Sequence, residues 1–74
     1  MSFPTYAQVE KVRNEFPKGS RVRLVRMDNE PRNIPVGTEG TVHHVDDTGS
    51  IHVHWDNGPT LAVLYGIDEC EKIS

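Results

Sequence analysis

The sequence predicts a mainly β fold: a small five-stranded closed barrel preceded by a short N-terminal α-helix. Three observations predict it. Apolar residues recur at helical spacing only over residues 6–16, the pattern switches to strict alternation from Ser20 onward, and turn formers then break the chain at short intervals. Residues 1–74 are read as a single domain, with the helix over 5–15 and the barrel over 18–73.

Thr5 stands where it can cap a helix over Thr5–Glu15, and Gln8 follows three residues on, the capping-box arrangement that satisfies the first free N–H groups. Tyr6, Val9, Val12 and Phe16 fall on one face of that helix, which is expected to pack on the barrel. Pro17 and Gly19 stop the helix. In Arg21-Val22-Arg23-Leu24 the apolar residues point one way and the arginines the other, as in a half-buried strand. The stretch from Asp28 to Pro35 holds two prolines and several turn formers, and reads as a long loop. Pro35–Gly40 then turns the chain into a strand over Thr41–Asp46. If Val42 and Val45 both face inward, an extra residue must be accommodated at His43–His44, which predicts a β-bulge.

Asp47-Thr48-Gly49 is a hairpin turn, after which Ile51-His52-Val53-His54-Trp55 alternates, with Ile51, Val53 and Trp55 inward and both histidines outward. Asp56-Asn57-Gly58 is the strongest turn signal in the chain. Pro59 cannot donate to a ladder, so it starts or edges the strand Thr60–Leu64. Tyr65–Glu69 reads as one tight helical turn, and Cys70–Ile73 as a short last strand.

A chain of 74 residues has one modest core. Cys70 is its only cysteine, and no Cys/His cluster has zinc-finger spacing, so stability must come from packing or self-association. No apolar run is long enough to span a bilayer, and the first residues, with Glu10, Lys11 and Arg13, lack the apolar centre of a secretory signal. A reducing, cytoplasmic setting is the expectation. The net charge of −3 argues against a generic nucleic-acid binder, yet residues 1–27 balance at +4 and residues 28–74 at −7. Such a dipolar field can steer a charged partner or a second copy of the chain. The plain alternative is that basic and acidic strands neutralise each other within one barrel.

The run Phe16-Pro17-Lys18-Gly19-Ser20-Arg21-Val22-Arg23-Leu24, then Pro35-Val36-Gly37-Thr38-Glu39-Gly40-Thr41-Val42, then Val53-His54-Trp55-Asp56-Asn57-Gly58 resembles a family of small SH3-like domains of bacteria and their phages, known only as a domain of unknown function. The resemblance covers about residues 16–73. More loosely, the Gly-x-x-Gly-x-Val and Trp-Asp-Asn-Gly turns resemble SH3-like domains of the Mib/HERC2 type, and the first turn alone resembles KOW domains. Mib-type domains bind peptide segments and KOW domains bind RNA or protein, so the resemblance implies a binding module and leaves its ligand open.

The residues carry little that looks catalytic. His43 or His44 can lie across a hairpin from His52 or His54, with Asp46 nearby, but a firm zinc site needs three or four ligands, so His43, His52 and His54 are only weak metal candidates and solvated histidines are favoured. Facing imidazoles also suggest pH sensitivity. Cys70 is expected to behave as a small hydrophobe, no phosphate-cradling Gly-rich loop opens a helix, and Gly-x-Ser-x-Gly is missing, so neither an enzyme nor a cofactor is expected.

Two binding surfaces remain. The favoured one is a protein-interaction surface formed by Asp28, Pro31, Arg32, Ile34 and Pro35 of the long loop, with Trp55 and Tyr65, on an accessory or inhibitory protein of phage or mobile-element kind. Trp55 faces inward by its phase, so core packing competes with a groove role for it, and exposed strand edges leave self-association open. The alternative is a row of Lys18, Arg21, Arg23 and Arg26 holding phosphates of nucleic acid or a nucleotide-like ligand, against which stands pairing of those cations with Glu39 or the C-terminal carboxylates.

Overall fold

A computed structural model describes residues 4–28 and 34–74, in which one helix and five strands follow in the order that the sequence predicts. Helix α1 spans Tyr6–Glu15, and its capping box forms: Thr5 Oγ1 accepts the Gln8 N–H at 3.2 Å while Gln8 Oε1 accepts the Thr5 N–H at 2.7 Å. Val9 and Phe16 are buried and Val12 is half-buried, so the expected apolar stripe packs on the sheet. Tyr6 does not join it. The residue is 79% exposed, because the stripe that meets the sheet is centred on Val9, Val12 and Phe16 and leaves Tyr6 on its flank.

Strands β1 (Arg21–Arg26), β2 (Glu39–Val45), β3 (Ile51–Trp55), β4 (Thr60–Val63) and β5 (Glu69–Lys72) form one antiparallel sheet in the order β4-β3-β2-β1-β5. Among the described residues no ladder joins β4 to β5, so the pairings make an open sheet where the sequence predicts a closed barrel. The sequence places the strand ends to within one or two residues, and β3 at its observed ends.

The bulge falls where the alternation breaks. Val42 pairs with Val53 and His44 with His52, so His43 is the extra residue, and both Val42 and Val45 are buried as their inward phase requires. Without that insertion one of the two valines would face solvent. Gly40 pairs with Val22 on one side and Trp55 on the other. A Cβ there would lie 2.6 Å from Val53 Cγ1 and 2.7 Å from the His54 carbonyl oxygen, so only glycine lets the sheet bend tightly enough to seat Trp55.

Inside the bend lie Val22, Leu24, Val42 and Val53, each essentially fully buried, with Ile34, Ile51, Trp55 and Val63 around them. Each such aliphatic side chain contributes about 2 kcal/mol by leaving water. The buried indole is polar at one end, and Trp55 Nε1 donates to the Leu61 carbonyl at 3.2 Å. Arg13 fastens α1 to this body: its Nε donates to the Val45 carbonyl at 3.2 Å, and its Nη2 meets Asp47 Oδ1 at 2.8 Å in the turn between β2 and β3.

Candidate functional site

The alternation in β1 sends Arg21 and Arg23 to the outer face of the sheet, as expected, but their charges are already answered there. Arg21 grips Asp56 with both arms of its fork, at 2.9 and 2.6 Å, and donates to Thr41 Oγ1 at 3.0 Å. The paired hydrogen bonds raise the guanidinium pKa and hold the Asp56 carboxyl below its ordinary value. Arg23 meets Glu71 at 2.9 Å, Glu39 lies 3.5–3.6 Å from both arginines, and Arg26 lies 3.9 Å from Asp28. The anion-binding row is therefore internally neutralised through Glu39, Asp56 and Glu71. Lys18, the fourth member expected in it, lies away from the three arginines beside His43 and His44.

All four histidines of the chain meet on the β2–β3 part of the same outer face. The His43 and His44 rings contact edge-on at 4.9 Å, His54 contacts His43 in the same manner, and His44 stacks on His52 at 4.3 Å. The bulge brings His43 and His44 to one side, with their Nδ1 atoms 2.6 Å apart. His52 Nε2 lies 2.7 Å from Asp46 Oδ2, and His54 Nδ1 lies 2.6 Å from Thr60 Oγ1. Burial opposes the charge on Asp46, but bonds from Thr48, His52 and Ser50 outweigh it and hold the carboxyl at about 2. The His43 pKa is lowered by desolvation and by its neighbours His44, His54, Lys18 and His52. Among the described residues no three His, Cys, Asp or Glu side chains are placed to hold a metal ion.

A third region lies between α1 and the turn joining β4 to β5. Val12, Phe16, Ile51, Val63 and Leu64 line a cleft of about 290 Å³, with Tyr65 at its lip and Glu15, Glu69 and Cys70 along one wall. The expected helical turn forms, since Leu64 O accepts the Ile67 and Asp68 N–H groups at 3.1 and 2.9 Å. Asp68 holds it in place. This carboxylate is buried, and it accepts the Leu64 N–H at 3.0 Å through one oxygen and the Asp28 N–H at 3.2 Å through the other. It thereby ties the β4–β5 turn to the chain leaving β1, and so brings Asp28 and Tyr65 toward one end of the sheet. Sequence reasoning passes over Asp68. The available signal was an Asp four residues beyond Leu64, placed to bond back to the start of a tight turn.

Glu15 and Glu69 have no ion-pair partner among the described residues, in contrast to the arginines of β1. Cys70 registers both: burial, then Glu15 and Glu69, push its thiol up to about 12. A thiol held protonated in this way is a packing group.

Of the loop and barrel residues expected to bind a partner, Tyr65 is exposed at the cleft and Asp28 and Pro35 are exposed nearer the start and end of the loop. Ile34 and Trp55 are buried in the core, 4% and 3% exposed, and present no contact surface. Pro31 and Arg32 lie outside the described residues.

The fold and its surfaces define a small antiparallel β domain with one covering helix and a cleft beside its last turn. Residues 5–73 match the model of DUF4314, a domain of unknown function, and the chain belongs to that family. No curated protein and no solved structure matches the chain. No described helix is long and apolar enough to cross a membrane.

Proposed function

We propose that this chain is a non-enzymatic protein-interaction module of SH3-like architecture, and that it receives an extended peptide segment in the cleft between α1 and the β4–β5 turn. The strand order and the helical turn between β4 and β5 support a sheet curled into a partly open SH3-like barrel. The observation that carries the functional reading is the cleft itself. An apolar floor lies open beneath Tyr65, and two carboxylates on its wall lack counter-ions among the described residues. These features fit a segment that presents an apolar side chain to the floor and a lysine or arginine to Glu15 and Glu69. The family resemblance supports an accessory or inhibitory protein of phage or mobile-element kind, and the lone cysteine supports a reducing, cytoplasmic setting.

The test is selection of a displayed random-peptide library on the full chain. Enriched peptides should carry a basic residue next to an aliphatic or aromatic one, and Tyr65→Ala should weaken them by about tenfold. Selection that enriches nothing, or peptides indifferent to Tyr65, would overturn the reading.

A further inference from the structure

The cleft does not end at Tyr65. A second hollow of about 320 Å³ adjoins it, lined by Gln8, Lys11, Val12, Glu15 and Tyr65, and the last three of these residues also line the first. Its four helical residues stand at i, i+3, i+4 and i+7, so they form one stripe along α1. The two hollows are therefore one groove with Tyr65 at their junction. We propose, in an inference that rests on the peptide reading above, that this groove reads the charge order of its peptide. A basic residue lies over Glu69 and Glu15 at one end, an apolar anchor fills the middle, and an acidic residue lies toward Lys11 at the other end.

The order follows from which hollow each charge borders. Glu69 lines only the first, Lys11 only the second, and Glu15 both, so the charges run negative, negative, positive along the groove. All three residues are exposed, and none has an ion-pair partner among the described residues. Arg26 stands opposite Glu69 in the β1–β5 ladder, but it lies 3.9 Å from Asp28. Glu15 and Glu69 both act on Cys70 and raise its thiol pKa, so their fields meet at that end. Lys11 is one helical turn from Glu15, close enough to weaken that charge and leave the Glu69 end the more negative. A surface lysine carries its charge on a flexible stem and acts through its place in the helix register, with no fixed geometry required. The dipole of α1 has the same sense, its negative end at Glu15.

The stripe also sets a length. From Gln8 to Glu15 it rises about 10 Å, which an extended peptide covers in about three residues. Both partner charges therefore fall within about five residues around the anchor. A peptide of the reverse order meets like charge at both ends. Each exposed pair contributes only about threefold in affinity, but the two mismatches act together, and discrimination comes from the repulsion as much as from the attraction.

The test uses the full chain and a displayed heptapeptide library with phenylalanine fixed at the centre and lysine, glutamate or serine at every other position. Enriched peptides should carry lysine on one side of the anchor and glutamate on the other, always in the same order, and removal of either charge should weaken binding about threefold. Lys11→Gln should remove the preference for glutamate, and Lys11→Glu should replace it with a preference for lysine. In both variants lysine on the other side of the anchor should be retained. Lysine beside phenylalanine with no preference for glutamate, or a glutamate preference that survives Lys11→Glu, would overturn the charge order and leave the peptide reading standing. A library that enriches nothing would overturn both.

Discussion

The arginine row on β1 and the cleft between α1 and the β4–β5 turn are both lined with charge, but they differ in what that charge already touches. Arg21, Arg23 and Arg26 each have a carboxylate within 4 Å, supplied by β2, by the turn after β3, by β5 and by Asp28. Glu15 and Glu69 have none among the described residues, and they border an apolar hollow instead. The row is a solved electrostatic problem, worth little to a ligand that would first have to displace Asp56 or Glu71. The cleft offers both an open surface and an unanswered field, which is what a partner can use. Charge density read along the chain singles out the arginine row, whereas the pairing state of each charge singles out the cleft.

The largest expected effect breaks both regions at once. Gly40→Ala forces a methyl group against Val53 and the His54 backbone, and should cost about 3 kcal/mol in urea unfolding, because the bend that seats Trp55 cannot relax without moving strands. Asp68→Ala acts on the β4–β5 turn beside the cleft and on the chain leaving β1. It strands two backbone N–H groups, those of Leu64 and Asp28, and should cost about 2 kcal/mol while raising amide hydrogen exchange around Tyr65 more than in β2 and β3.

Charge substitutions sharpen the comparison. Arg21→Glu with Arg23→Glu should lower the melting temperature, less so at high salt, and leave affinity for a selected peptide within about twofold. Glu15→Gln with Glu69→Gln should do the reverse: an unchanged melting temperature and about tenfold weaker peptide binding. Loss of peptide binding in the arginine double variant would dissolve the distinction between the two regions.

The smallest effect belongs to Asp46, at the turn between β2 and β3. Its folded carboxyl titrates at about 2 against an ordinary 3.8, so its contribution is present above the ordinary value and is lost as pH falls toward 2. Asp46→Asn should therefore flatten the acid limb of a stability-against-pH curve in that window and change little near neutrality beyond a uniform offset.

Local signals made much of this molecule legible. Thr5 and Gln8 mark the helix start, the two-residue period marks β3, and the broken phase between Val42 and Val45 marks the bulge at His43, all from neighbours in sequence. What escaped depends on register and on contacts between distant segments. Arg21 and Asp56 are 35 positions apart, and nothing local pairs them. The cleft is assembled from α1, β3, β4 and β5, so neither Glu15 nor Glu69 marks it alone. Tyr65 is legible as an exposed aromatic beside Gly66, and the inward phase of Trp55 agrees with its burial against the groove role; Ile34, read as part of an exposed loop, is instead buried in the core. Tyr6 failed for the opposite reason: helical phase assigns a face, but the sheet covers only part of it.

Backbone amide NMR of the full chain, titrated with the tightest peptide from the displayed library, tests the central claim most directly. The account predicts saturable shifts at Val12, Leu64, Tyr65 and Cys70 with Arg21 and Arg23 unmoved. Shifts centred on Arg21 and Arg23, with the cleft silent, would contradict it.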